Sequence, residues 1–93
     1  MILSFRSHEA ESIWRGEECR RIPVEVQKLA RRKLRMLNNA QKLDDLRVPP
    51  ANRLEALKGD RKGQCSIRVN NRWRLCFVWS SAGAALVELV DYH

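Results

Sequence analysis

The chain has 93 residues, and 44% of them are hydrophobic, a fraction typical of folded domains rather than disordered segments. This length predicts one domain, residues 1–93, with a single small core. Eighteen lysines and arginines face 11 acidic residues, so the net charge is +7 and favours polyanionic partners. No apolar run approaches the roughly 20 residues that cross a bilayer, so we expect no membrane-spanning segment. We predict a cytoplasmic protein, because charged residues follow Met1 too closely for a secretory signal.

Three cysteines occur, at positions 19, 65 and 76, an odd count without the short spacing of metal-binding pairs. A disulfide framework and a zinc site are therefore both unexpected. We predict reduced thiols in a cytoplasmic environment.

The first half of the chain predicts a strand followed by two helices. Residues 2–5 suit a short opening strand. A short helix is expected over residues 7–16, with Ser7 as its N-cap and Gly16 as its stop.

The clearest helix begins near Pro23, a residue that is well tolerated in a first helical turn. Apolar residues recur at helical spacing along it: Val26, Leu29, Ala30, Leu34, Leu37 and Ala40. The helix ends either at Asn38-Asn39 or near Leu43.

After Pro49-Pro50 the apolar period changes from that of a helix to that of strands. Short strands are predicted over residues 54–57, 64–69, 72–79 and 84–92. The last of them is apolar on both faces, so we expect it to be well covered.

The Asn70-Asn71 turn decides which face of the sheet carries the arginines. A two-residue loop would mix apolar and charged side chains on both faces, whereas a three-residue loop places Ile67 opposite Leu75. The three-residue loop also places Arg68 opposite Arg74. Because like charges at such a pair are destabilising, this register favours a phosphate bound between them.

All seven basic residues after position 50 fall in one block with only two acids, Glu55 and Asp60: Arg53, Lys58, Arg61, Lys62, Arg68, Arg72 and Arg74. The chain then ends on Asp91-Tyr92-His93, which supplies a phenol and an imidazole. Cations can hold a phosphodiester, and an imidazole can transfer protons near neutral pH. The pattern favours a nucleic-acid-directed catalytic function over a merely solvated basic surface.

These residues also carry a family resemblance. The stretches at 57–63, 66–69 and 73–75, together with the terminal Asp91-Tyr92-His93, resemble HigB-type toxins of the RelE/ParE superfamily of bacterial toxin–antitoxin systems. The resemblance is sharpest over residues 53–93.

The resemblance implies a compact α+β fold, in which an N-terminal strand and two to three helices pack on a small twisted, mostly antiparallel sheet. It implies a toxin that enters the 30S A site of a translating ribosome and cleaves the mRNA there, without a metal or cofactor. It further implies neutralisation by a HigA-type helix-turn-helix antitoxin, through which alone the toxin would contact operator DNA.

Five residues match the family's functional positions: Lys58, Arg74, Asp91, Tyr92 and His93. The chain departs from the family at Glu55, where many members carry a catalytic histidine, and at Cys65, where an aromatic residue is common. The first departure leaves the general base open between Glu55, Asp91 and His93.

The function that we predict is ribosome-dependent mRNA cleavage by attack of the RNA 2′-OH. Lys58 and Arg74 would stabilise the phosphate charge, Tyr92 would stack on a base or align the phosphate, and the remaining cations would bind RNA: Arg53, Arg61, Lys62, Arg68 and Arg72. Two alternatives stay open, a ParE-like inhibitor of DNA gyrase and a non-catalytic module that binds RNA or the ribosome.

Overall fold

The computed structural model describes residues 1–92, and the predicted role of His93 lies outside that range. Two α-helices pack on a four-stranded antiparallel sheet whose strands follow chain order. The elements are α1 (His8–Trp14), α2 (Val24–Asn39), β1 (Glu55–Ala56), β2 (Cys65–Arg68), β3 (Trp73–Ser80) and β4 (Gly83–Asp91). Short 3₁₀ turns occupy Leu43–Arg47, Pro50–Asn52 and Gly59–Arg61. This architecture confirms the expected α+β class.

Both helices form where the sequence predicts them. The Ser7 hydroxyl accepts a hydrogen bond from the Ala10 amide and caps α1, and Gly16 follows the helix with φ of +80°. Pro23 precedes α2, which ends at Asn39 and does not continue to Leu43. The helix ends there because Ala40 is already extended, with ψ of 129°.

The predicted opening strand forms only two isolated parallel bridges to β4, from Ile2 to Ala84 and from Phe5 to Val87. Gly83 makes this approach possible. A Cβ atom at Gly83 would lie 2.1 Å from the Met1 carbonyl oxygen, so no larger residue fits without moving the backbone. The N-terminal segment therefore protects one edge of the sheet.

The β2–β3 hairpin has the predicted register. Ile67 pairs with Leu75, and Arg68 pairs with Arg74. Because side chains alternate along a strand, the two apolar residues enter the core under the helices while the two arginines project from the opposite face. The core also contains Phe77 and the buried stripe of α2.

The prediction that β4 is covered on both faces is wrong at Leu86, which is 41% exposed. Between the pairs Val78–Ala85 and Cys76–Glu88, β4 contains one more residue than β3. This β-bulge places Leu86 at φ of +53° and turns its side chain toward solvent.

Candidate active site

An open cleft of about 530 Å³ lies on the arginine-bearing face of the sheet. Its lining comes from β1, the β2–β3 hairpin, the turn before β1 and the end of the chain: Arg53, Glu55, Arg68, Asn70, Asn71, Arg74 and Tyr92. Three arginines against one glutamate give this lining a net positive charge. A cleft of this charge favours an anionic ligand.

Arg74 is the most constrained cation of the cleft, with a side chain that is only 12% exposed. Its Nε donates a 2.9 Å hydrogen bond to the hydroxyl of Ser66, and its Nη2 donates a 2.7 Å bond to the carbonyl of Arg53. The same Nη2 lies 3.4 Å from a carboxylate oxygen of Glu55. Two hydrogen bonds therefore hold this guanidinium, and the Glu55 carboxylate lies beside it.

Arg68 is held by the hairpin turn that follows it. Its Nε donates to the Asn70 carbonyl at 3.1 Å, and its guanidinium also donates to the side-chain oxygen of Asn71. The Asn70 side chain accepts from the backbone amides of Arg72 and Trp73, which fixes the turn. The hairpin thus places a second arginine, paired in register with Arg74, on the lining of the same cleft.

Tyr92 lies at the rim of the cleft and is 38% exposed. Its backbone amide donates to the carbonyl of Arg72, which anchors the end of the chain to the β2–β3 turn. Burial raises the pKa of the neighbouring Cys76 thiol, an effect opposed by Arg61 and by a hydrogen bond with Tyr92. An exposed phenol at a cationic cleft can stack on a base.

Asp91 pairs in register with Trp73, not with Arg74, and it is absent from the cleft lining. Its carboxylate accepts two hydrogen bonds from Arg72, at 2.8 and 2.9 Å. That pairing raises the pKa of Arg72. Asp91 therefore joins β4 to the β2–β3 turn.

A family model described as the RelE-like toxin of the type II toxin–antitoxin system HigB matches residues 3–93 of this chain. The chain belongs to the HigB-like toxin family. As a type II toxin, it has an antitoxin as its partner. The predicted family is thereby confirmed.

Individual relatives agree with this membership. Toxin HigB-1 of Vibrio cholerae is 43% identical over 94 residues, which cover 100% of this chain and 98% of that protein. A protein of Proteus vulgaris named Endoribonuclease HigB is 42% identical over 41 residues, or 44% of this chain and 45% of that protein. An uncharacterized protein of Haemophilus influenzae is 38% identical over 66 residues, or 71% of this chain and 65% of that protein.

Of the predicted site residues, the structure of this HigB-like toxin brings five together in the cleft lining: Arg53, Glu55, Arg68, Arg74 and Tyr92. Lys58 and Lys62 are exposed and flank the Gly59–Arg61 turn next to β1. Arg61 donates to Glu88 at 3.0 Å and to Gln64 at 3.1 Å, and the bond with Glu88 raises its pKa. These three cations and Arg72 lie outside the lining.

Three residues of the site were not predicted. The sequence predicts Asn70 and Asn71 only as a turn, and it assigns Ser66 no role in the site. The signal for Ser66 was its spacing, because it precedes Arg68 by two residues and so shares its face. Ser66 is nevertheless fully buried, in contact with Arg74.

All three cysteines are free thiols, as predicted. Within residues 1–92, no group of three histidine, cysteine, aspartate or glutamate side chains is arranged to hold a metal ion. No helix in the same part of the chain combines the length and the apolar character that a membrane span requires.

Proposed function

We propose that this toxin is a ribosome-dependent endoribonuclease that cleaves mRNA in the 30S A site. The observation that carries the proposal is that Arg68 and Arg74, which are paired in register across β2 and β3, both line one cationic cleft. Fixed like charges of this kind are stabilised by a phosphate between them. The name of the Proteus vulgaris relative supports an endoribonuclease activity.

The reaction is a transesterification at one phosphodiester. The 2′-oxygen forms a bond to the adjacent phosphorus, the bond from phosphorus to the 5′-oxygen breaks, and a 2′,3′-cyclic phosphate and a 5′-hydroxyl result. Arg74 and Arg68 stabilise the negative charge that develops on the phosphate oxygens, and Lys58, which is exposed on the turn after β1, adds a further positive charge. Tyr92 stacks on a base or aligns the phosphate.

Two proton transfers accompany this step. Glu55 is the best-placed base among the described residues, because it lines the cleft and contacts Arg74, whereas Asp91 is engaged by Arg72. His93 is the candidate acid for the leaving 5′-oxygen, by its identity alone. The remaining cations, Arg53, Arg61, Lys62 and Arg72, bind flanking RNA.

The ribosome supplies what an open cleft lacks. The cleft contacts a strand from one side only, so the mRNA must be held elsewhere for in-line attack. The proposed partners are therefore the ribosome with its mRNA in the cytoplasm, and a HigA-type helix-turn-helix antitoxin that carries the toxin to operator DNA.

The direct test compares naked mRNA with the same mRNA bound to ribosomes with an empty A site. The purified toxin should cleave only the ribosome-bound mRNA, and the Lys58→Ala, His93→Ala double variant should cleave it far more slowly. Equal cleavage of both substrates would contradict ribosome dependence. Intact mRNA in both would contradict the nuclease function.

A further inference from the structure

We infer that Ser66 is a positioning residue, which orients the Arg74 guanidinium toward the scissile phosphate; the inference rests on the proposed function. Ser66 is completely buried in β2, directly across from Glu55 in β1. Its hydroxyl oxygen accepts the 2.9 Å bond from Arg74 Nε. It lies outside the cleft lining, so it acts through Arg74 and not on RNA.

The contact with Ser66 restricts Arg74 because a guanidinium is planar. A bond at Nε fixes one edge of the plane, and the 2.7 Å bond from Nη2 to the Arg53 carbonyl fixes a second point. Within residues 1–92, no protein acceptor bonds to Nη1. Its two N–H groups therefore remain for oxygens of a bound phosphate.

The Arg53 carbonyl, the second of the two groups that anchor Arg74, is itself rigidly held. Arg53 has the left-handed backbone conformation, φ 46° and ψ 56°, which is costly for a residue other than glycine. Asn52 before it is fully buried, donates to the Leu46 carbonyl at 3.1 Å and accepts from Lys33 of α2 at 2.6 Å. The Arg53 carbonyl is thus aimed at Arg74 by a loop that is tied to a helix.

The two anchors oppose a competing contact. Glu55 Oε1 is 3.4 Å from Arg74, on a side chain that is 57% exposed and able to move. Without the Ser66 hydroxyl, the guanidinium would be free to turn toward this carboxylate and form a closer ion pair. Such a pair would neutralise the charge that the transition state needs.

The test removes one oxygen atom, in the variant Ser66→Ala, and measures single-turnover cleavage of ribosome-bound mRNA. We expect the cleavage rate at saturating ribosome concentration to be roughly tenfold lower than that of wild type. The ribosome concentration that gives half of the maximal rate should stay within about twofold of wild type, because Arg74 keeps its charge and loses only its orientation. Ser12→Ala is the matched control, because Ser12 is also buried and its hydroxyl contacts the His8 ring within α1, away from the cleft lining. It should cleave at the wild-type rate.

A second readout does not depend on cleavage. In NMR spectra of the free toxin, the Nε–H proton of Arg74 should exchange slowly with solvent, and at least about tenfold faster in Ser66→Ala. Unchanged exchange in Ser66→Ala would overturn the inference, and so would equal rate losses in Ser66→Ala and Ser12→Ala. If Arg74 Nε–H exchanges faster in Ser66→Ala than in wild type, but the wild-type toxin cleaves no mRNA, the proposed function is overturned and the positioning role of Ser66 is not.

Discussion

At the scale of single residues, the contact between Glu55 and Arg74 would link proton transfer to phosphate binding in the proposed mechanism. Glu55 lies in β1 opposite Ser66. Its carboxylate reaches both the cleft and the guanidinium that would hold the phosphate. A base at this position can act only on a 2′-OH that sits beside the bound phosphate.

We predict that Glu55→Gln lowers the single-turnover rate by about 100-fold, the lower range for loss of a general base. The ribosome concentration that gives half of the maximal rate should not rise, because an uncharged glutamine no longer neutralises the positive charge of Arg74. Glu25→Gln changes an exposed acid in the first turn of α2 and should have no effect. Identical rates for Glu55→Gln and wild type at every pH would exclude Glu55 as the base.

At the scale of elements, one ion pair joins the Gly59–Arg61 turn to β4. Arg61 bonds to Glu88 at 3.0 Å, and their side chains are only 32% and 16% exposed. Arg6, in the segment before α1, approaches the other oxygen of Glu88 at 3.9 Å. This cluster fixes the turn that carries Lys58 and Lys62 beside the cleft.

We predict that Glu88→Gln lowers the free energy of unfolding by about 1–2 kcal/mol, because it leaves the partly buried guanidinium of Arg61 without a carboxylate. The control is Glu11→Gln, which breaks a more exposed pair with Arg15 and should cost less than about 0.5 kcal/mol. Urea denaturation measures both. Equal effects of the two substitutions would contradict a structural role for Glu88.

Most elements of the fold could be predicted, because each has a local signal. Ser7 and Pro23 mark helix starts, and the demand for one apolar face selects the register that pairs Arg68 with Arg74. The bulge at Leu86 could not be predicted, since β4 is apolar on both faces and its alternation does not specify a register. For the same reason its exposure was missed.

At the scale of the whole molecule, the cleft depends on contacts between distant parts of the chain. The cations and the terminal residues could be identified from their types and spacing. The contact between Arg74 and the Arg53 carbonyl spans 21 residues and depends on a left-handed backbone that nothing in the sequence marks. The pairing of Asp91 with Arg72, outside the cleft lining, likewise needed the three-dimensional structure.

We propose that the cleft around Arg74 cleaves mRNA in the cell. Mapping mRNA 5′ ends after induction of the toxin tests this claim, with Arg74→Ala as the test variant and Arg15→Ala, in the loop after α1, as the control. Wild type and Arg15→Ala should arrest growth and create new 5′ ends within coding regions, and Arg74→Ala should do neither. Growth arrest with intact mRNA and altered DNA supercoiling would contradict the account and favour gyrase inhibition.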